Sequence, residues 1–411
     1  MKHNTKLAAF AALIAIAVGA AVGDAHATLN KTVAQGQLPK LVGRAVLPVE
    51  TLAPGPPAGA GVMDANGIDF PLPSQPVEGF SGIVAGREPG EFLAMPDNGF
   101  GNKANSFDFL IRAYYVRPDF KTAKGGSGTV DVGDFISFRD PDQLIGFPIV
   151  NGATTDRLLT GADIDPESLQ RGRHGDLWVG EEFGPWILHF SGDGVLLDPP
   201  FRIPGVVAQT NPFIGTSTPT IGNSRGFEGT AISPSGRYLY GILEGAVLGD
   251  PADSRRVYEF DTKTEALTGR TWTYRTEQPA YMVADVQALD NHRLALIERD
   301  GTRGATVVFR AVYVVDLHRV DAAGFVSKDQ LLDLTNIPDP NGVSLPEIHP
   351  GDVRIGDPFA VVCESVEALR PLSNSRLLVG CDNNLPNTGR NPTRADDDEF
   401  IVVMVPGIPG Q

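Results

Sequence analysis

Past its first thirty residues the chain has no apolar run approaching the length needed to cross a bilayer. Cysteine is nearly missing: only Cys363 and Cys381 occur, which disfavours thiolate metal chemistry. Basic residues are in deficit, 34 Lys and Arg against 50 Asp and Glu, for a net charge of −16. A nucleic-acid partner wants a basic face, so that class is set aside. No stretch carries a long amphipathic helix pattern. Gly (47) and Pro (33) are plentiful instead, as expected of many short strands joined by turns.

The opening MKHNTKLAAFAALIAIAVGAAVGDAHA has a basic start at Lys2 and Lys6 and an Ala/Leu/Ile-rich centre. Ala25-His26-Ala27 then fits a small-x-small cleavage site. The expectation is a signal peptide over 1–27 and a periplasmic or secreted protein over 28–411, without a membrane span and monomeric. In such a compartment a disulfide persists.

A repeat organises the remainder. In GFEGTAISPSGRYLYGILEG (226–245) an apolar run starts after Glu228, turns at SPSG, and returns to stop at Glu244. The same design recurs from Glu78 to Asp97, Glu167 to Glu181, Asp285 to Glu298 and Glu364 to Asp382. Each copy continues into a third strand pattern, at 110–120, 186–194, 256–264, 312–320 and 400–405. Three or four antiparallel strands repeated at blade-like intervals predict an all-β fold, a single β-propeller. Five repeats are readable. Six blades are expected, with the N- and C-terminal strands closing the ring and the sixth drawn from 28–50 or 130–163. The Pro/Gly-rich stretches 51–77, 199–225 and 335–358 read as loops.

The first residue of a hairpin lies beside its last, so ten carboxylates are expected at one mouth of a central channel: Glu78, Asp97, Glu167, Glu181, Glu228, Glu244, Asp285, Glu298, Glu364 and Asp382. Two like charges ~4 Å apart cost on the order of 4 kcal/mol at an effective dielectric near 20. Such acids must be solvated, protonated, paired with cationic side chains, or bound to a cation. Asn98, Asn383, Arg225 and Arg299 stand beside them. An oxygen-rich set of this kind favours a hard ion such as Ca²⁺. The alternative is that these carboxylates hydrogen-bond backbone amides and lock the repeats together.

Pairing Leu369 with Ser375 sets Cys363 opposite Cys381, which predicts a cross-strand disulfide; two buried free thiols are the alternative. Gly222-Asn223-Ser224-Arg225-Gly226 matches G-x-S-x-G but lies in a loop entering a strand rather than at a strand-to-helix elbow. Asp163-Ile164-Asp165-Pro166-Glu167 offers alternating carboxylates for a cation. Asp396-Asp397-Asp398-Glu399 reads as a solvated turn, and His349 is the one histidine in a long loop.

Taken together, DNGFGNKANSFDF (97–109), DIDPESL (163–169), DLWVGEEFGPWILHF (176–190), the 226–245 hairpin, HRLALIERD (292–300) and CDNNLPNTGR (381–390) resemble the phytase-like family, known as "esterase-like activity of phytase". The resemblance runs over about 75–405. It implies a Ca²⁺-dependent esterase acting on a small phosphoester or ester, with Glu228 and Glu244 catalytic beside Arg299 and Arg225. Asp97 and Asp382 would help hold the ion, while Lys103 or Arg390 would meet the substrate's charge. Two other readings share the same mouth: a non-catalytic binding propeller with structural calcium, and a propeller lactonase or carboxylesterase.

Overall fold

The computed structural model describes residues 38–372 and 375–408; the expected signal peptide lies outside them. Twenty-two strands and one short 3₁₀ turn make up its regular structure, so the chain is all-β, as the turn-rich composition requires.

Twenty of the strands fall into units of four, the first and last joined through a Val46–Thr129 pair into one eight-stranded sheet, and Leu52–Ala53 pairs with Gln75–Pro76 apart from them. The first strands are Phe80–Ala85, Pro166–Arg171, Phe227–Ile232, Met282–Ala288 and Ser365–Leu372. Each pairs antiparallel with the return strand predicted for it, and the third strands form where the alternation placed them. In the last unit the fourth strand comes from the other end of the chain: Lys40–Leu47 pairs with Asp398–Met404. Between these two strands Glu399 is gripped by Arg44 and Arg390, both at 2.6 Å. The residues 130–163 supply the fourth strand Thr129–Ser137 of the first unit and then a loop. Both candidates for a sixth repeat are thus absorbed by other units, and no sixth unit forms among the described residues.

Each first strand touches the first strands of its two neighbours, so the five follow one another in cyclic order. A buried apolar layer fills each junction. Leu93 and Met95 meet Leu169 and Val179 between the first two units. Trp178 and Ile187 meet Phe227 and Leu239 at the next, and the layers continue around to Phe400 against Phe80. Contact at the axis is close. A Cβ on Gly82 would sit 2.7 Å from the Leu169 backbone nitrogen, and one on Gly229 2.7 Å from the Ala284 carbonyl oxygen. Only glycine permits that approach.

Cys363 and Cys381 form the disulfide, with Cα atoms 6.0 Å apart. The register predicted for it is wrong, because Leu369 pairs with Val379 and Cys381 faces Val366. The first strand runs on to Leu372 and turns later than expected, so Cys363 reaches Cys381 from the loop before the strand. The bridge closes a separation of 18 residues. Replacing both cysteines by serine is expected to cost about 3 kcal/mol on the loop-entropy account, read from urea unfolding of oxidised protein.

Asp396–Glu399 is not a solvated turn. All but Asp397 are at most 6% exposed, because the segment begins the central strand Asp398–Met404. The stretches 51–77, 199–225 and 335–358 are loops as expected, broken only by two-residue strands and isolated bridges. No helix among the described residues is long and apolar enough to cross a membrane.

Candidate functional site

Every first strand carries a β-bulge at the same place. The register shifts between Phe80 and Gly82, Pro166 and Ser168, Phe227 and Gly229, Val283 and Val286, and Val366 and Ala368. A bulge re-aims the side chain it carries. The bulged positions hold Ser81, Glu167, Glu228, Asp285 and Glu367. Across each hairpin, the partner of the residue before the bulge is Pro96, Glu181, Leu243, Glu298 and Cys381. One residue further, at or just past the end of the return strand, come Asp97, Glu182, Glu244, Arg299 and Asp382. Eight of these ten positions, all but Ser81 and Asp285, meet at one end of the units.

They enclose a cleft of about 130 Å³ lined by eight carboxylates: Asp97, Asp165, Glu167, Glu182, Glu228, Glu244, Glu367 and Asp382. Asn98, Asn384, Arg225 and Arg299 complete its polar wall. Eight of the residues read from the sequence thus converge here with Asn98: Asp97, Asp165, Glu167, Glu228, Glu244, Asp382, Arg225 and Arg299. Glu182 and Glu367 were missed.

The other candidates lie elsewhere, for definite reasons. Glu181 precedes Glu182 by one residue, and a one-residue step along a strand reverses the side chain. Its carboxylate turns back to accept from the Phe183 and Gly184 amides, at 2.8 and 2.7 Å, and burial pushes its pKa up to about 8. Glu298 likewise faces away from Arg299, bonding Tyr274 and Lys328. Asp285 accepts from the Leu369 amide at 2.8 Å and bridges two first strands. Glu364 pairs with Arg303 outside the cleft. Glu78 is wholly buried behind Asp97, without a hydrogen-bond partner on either oxygen. Asn383 donates to the Asp396 carbonyl at 2.9 Å, while Arg390 serves Glu399 and stacks over Phe359. Lys103 lies over the Phe183 ring at 4.1 Å; burial lowers its pKa against the pull of Glu181, Asp165 and Asp163. Among them, Glu181 and Asp285 take the amide-locking role weighed above.

Asp285 has a consequence for stability. Burial raises its carboxyl to about 8, opposed by its bonds to Leu369, Gln287 and Val286 and by Arg370. The unfolded chain releases this proton near pH 3.9, so the folded state holds more protons between about pH 4 and 8. Stability falls as pH rises through that window. Asp285→Asn is expected to remove this share, up to about 1.4 kcal/mol per pH unit, seen as a wild-type-minus-variant difference in urea midpoints that widens from pH 5 to 8.

Inside the cleft the acids are crowded. Oxygens of Asp97, Asp165 and Glu167 lie within 4.8 Å of one another, as do those of Glu182, Glu228 and Glu244. Burial first, and then Glu244, Glu367 and Glu182, lift the Glu228 pKa well above the usual carboxylate range. Burial followed by Glu244 and Asp165 does the same for Glu182. Burial holds Asp165 at about 6, although Asn98 donates to it at 2.7 Å. One oxygen each of Glu182 and Glu228 is buried without a partner. Arg299 partly balances them, donating to Glu367 at 2.8 Å and standing 3.6 Å from Glu244 and 3.7 Å from Glu228. Arg225 pairs with Glu244. Ser81 holds the second Glu367 oxygen at 3.1 Å.

Unpartnered oxygens in an all-oxygen donor set suit a hard divalent cation. Ser224 lines the cleft, but no described histidine does; His349 instead pairs with Asp397 at 2.7 Å. A serine–histidine nucleophile is therefore not assembled here.

Residues 75–385 match the family model of the phytase-like proteins, described as "esterase-like activity of phytase". An uncharacterized secreted protein of Arthroderma benhamiae (strain ATCC MYA-4681 / CBS 112371) is 29% identical over 157 residues, 31% of this chain and 28% of that protein. The match thus spans well under a third of the fungal protein. Among solved structures, a luciferin-regenerating enzyme is similar at TM-score 0.37 and 12% identity, over 83% of this chain and 81% of its own. The Dos1 propeller is similar at TM-score 0.33 and 8% identity, over 83% and 70%.

Proposed function

The chain belongs to the phytase-like family, and from that premise and its paired rings of carboxylates we propose an exported, Ca²⁺-dependent hydrolase of small phosphoesters. The observation that carries this is the cleft itself, with eight acids and two arginines at one end of the axis. Export is supported by the Cys363–Cys381 disulfide and by the secreted relative. The fold is taken as a five-bladed propeller closed by Lys40–Leu47 on Asp398–Met404, supported by the cyclic packing of first strands.

Asp97, Asp165 and Glu167 on one side, and Glu182, Glu228 and Glu244 on the other, are the residues that would hold Ca²⁺. A bound ion would supply Lewis-acid polarisation and charge neutralisation at a phosphoryl group. Arg225 keeps nearly half of its side chain exposed while tethered to Glu244, which leaves donors free to receive an anionic oxygen at the rim. Arg299, fixed below by Glu367, orients the same charge from the floor. Both guanidiniums are held above their ordinary pKa: burial lowers each, and Glu244 beside Arg225 or Glu367 and Glu244 beside Arg299 outweigh it. Such fixed donors suit developing charge in a transition state.

The test is a substrate panel of phosphoesters, lactones and aryl acetates, with Ca²⁺ and with excess chelator. Phosphoester turnover that disappears with chelator supports the proposal. Turnover indifferent to chelator removes the metal. Cleavage confined to carboxyl esters moves the activity to the lactonase class, and stabilisation by Ca²⁺ without any turnover leaves a binding propeller.

A further inference from the structure

The fourth unit presents a second cluster of metal-binding chemistry at its far end. The return strand Arg293–Arg299 begins there and ends at the acidic cleft, so seven residues at about 3.3 Å each put some 20 Å between them. At this end the tight turn carries His292, and the neighbouring strand Arg310–Val320 carries Asp316 and His318. Residues two apart on a strand share a face. Arg293 pairs with Asp316 and the Leu317 amide donates to the His292 carbonyl at 2.8 Å, which brings all three side chains to one patch. One ligand atom from each lies within 4.8 Å of the other two.

We propose that His292, Asp316 and His318 bind a divalent ion of the zinc or copper type, at a site separate from the channel mouth. Two imidazoles and one carboxylate form a donor set typical of such ions, with room for water as a further ligand. A carboxylate partner supports the assignment. Nδ1 of His292 lies 3.1 Å from Asp290 Oδ1, the arrangement that fixes a histidine tautomer and leaves Nε2 free to ligate. Asp290 is itself held by the His292 and Arg293 amides and by the Arg293 side chain. Asp316 is anchored in turn by the His318 amide at 2.9 Å.

The two imidazole rings lie face to face, 4.6 Å between centroids and 4° from parallel. Ring lone pairs lie in the ring planes, so parallel rings do not yet converge on one ion. His318 is exposed, and rotation about its side-chain torsions turns its nitrogen toward Asp316 and His292. The site is therefore partly organised, with one held imidazole, one held carboxylate and one exposed imidazole.

Copper provides the test, because nitrogen ligands leave a superhyperfine signature that an all-oxygen cleft cannot give. Cu²⁺ titrated into the exported protein, residues 28–411, in millimolar Ca²⁺ is expected to show one tight equivalent with imidazole coupling in its EPR spectrum. His292→Ala and His318→Ala should each weaken that equivalent by at least about 10-fold and strip nitrogen coupling, whereas Glu228→Gln should leave it unchanged. Nitrogen-coupled copper that persists in the double histidine variant would overturn the proposal, as would its absence from the wild type. Because the readout is spectroscopic, the outcome is independent of any hydrolytic activity.

Discussion

Glu228→Gln is expected to reduce Ca²⁺-dependent phosphoester turnover by about 100- to 1,000-fold, the scale on which loss of one electrostatic stabiliser acts. The same variant should be more stable than wild type when Ca²⁺ is absent. Glu228 is buried on a bulge with one oxygen unpartnered, and Glu244, Glu367 and Glu182 all press its pKa upward. A neutral amide of the same shape removes that repulsion. It also removes a donor on which a divalent ion depends, so the stabilisation by Ca²⁺, about 2.7 kcal/mol at a hundred times Kd, should shrink in the variant. Thermal unfolding with Ca²⁺ and with chelator reads both effects. Equal Ca²⁺ responses in the two proteins would exclude Glu228 from the cation seat.

Arg299→Met is expected to destabilise the Ca²⁺-free protein by about 3–5 kcal/mol, the range for leaving a buried charge without its partner. Methionine fills much of the same space, so the loss reports charge more than packing. Glu367, Glu244 and Glu228 all lie within 3.7 Å of the guanidinium. Without it Glu228 and Glu244 are left to relieve the charge by taking up protons. Glu228 and Glu244 already have raised pKa values, chiefly through burial, so the penalty should be smaller at pH 5 than at pH 8. Added Ca²⁺ should recover part of the loss, since a cation can replace a cation. Urea midpoints at the two pH values, with and without Ca²⁺, give all three comparisons; a loss independent of both pH and Ca²⁺ would make the role of Arg299 one of packing.

The repeat was legible because apolar runs, turn residues and return strands recur at fixed spacing. The order of the strands therefore followed from the sequence. The count of units was harder. Lys40–Leu47 pairs with a strand some 350 residues away, and no local pattern announces such a partner. The mouth was legible to within one residue on the return strands and to within three on the first strands. Taking Glu228 and Glu244 as the template located Asp97, Glu167 and Asp382 correctly. It chose Glu181 over Glu182 and Glu298 over Arg299, and successive residues at a strand's end face opposite ways. Glu364, three residues before Glu367, was preferred because nothing in the alternation marks where the bulge falls. A usable signal did exist: Glu167-Ser168, Glu228-Gly229 and Glu367-Ala368 all place a small residue just after the acid, where neighbouring backbone comes close. Asp165 stood in plain view within the alternating carboxylates of 163–167, although nothing in the spacing tied it to Asn98.

Five equivalent seats around an axis offer a ligand no preferred bearing. A molecule lying over such an opening would meet the same chemistry at every rotation. Four of the chain-exit seats hold acids and the fifth holds Arg299, so the opening has a compass point. An elongated ligand with an anionic end can then settle in one orientation, its charged group toward the fourth unit and the rest lying across toward the first two. Arg299, the one cation among the chain-exit seats, is what would let the opening tell one end of a molecule from the other.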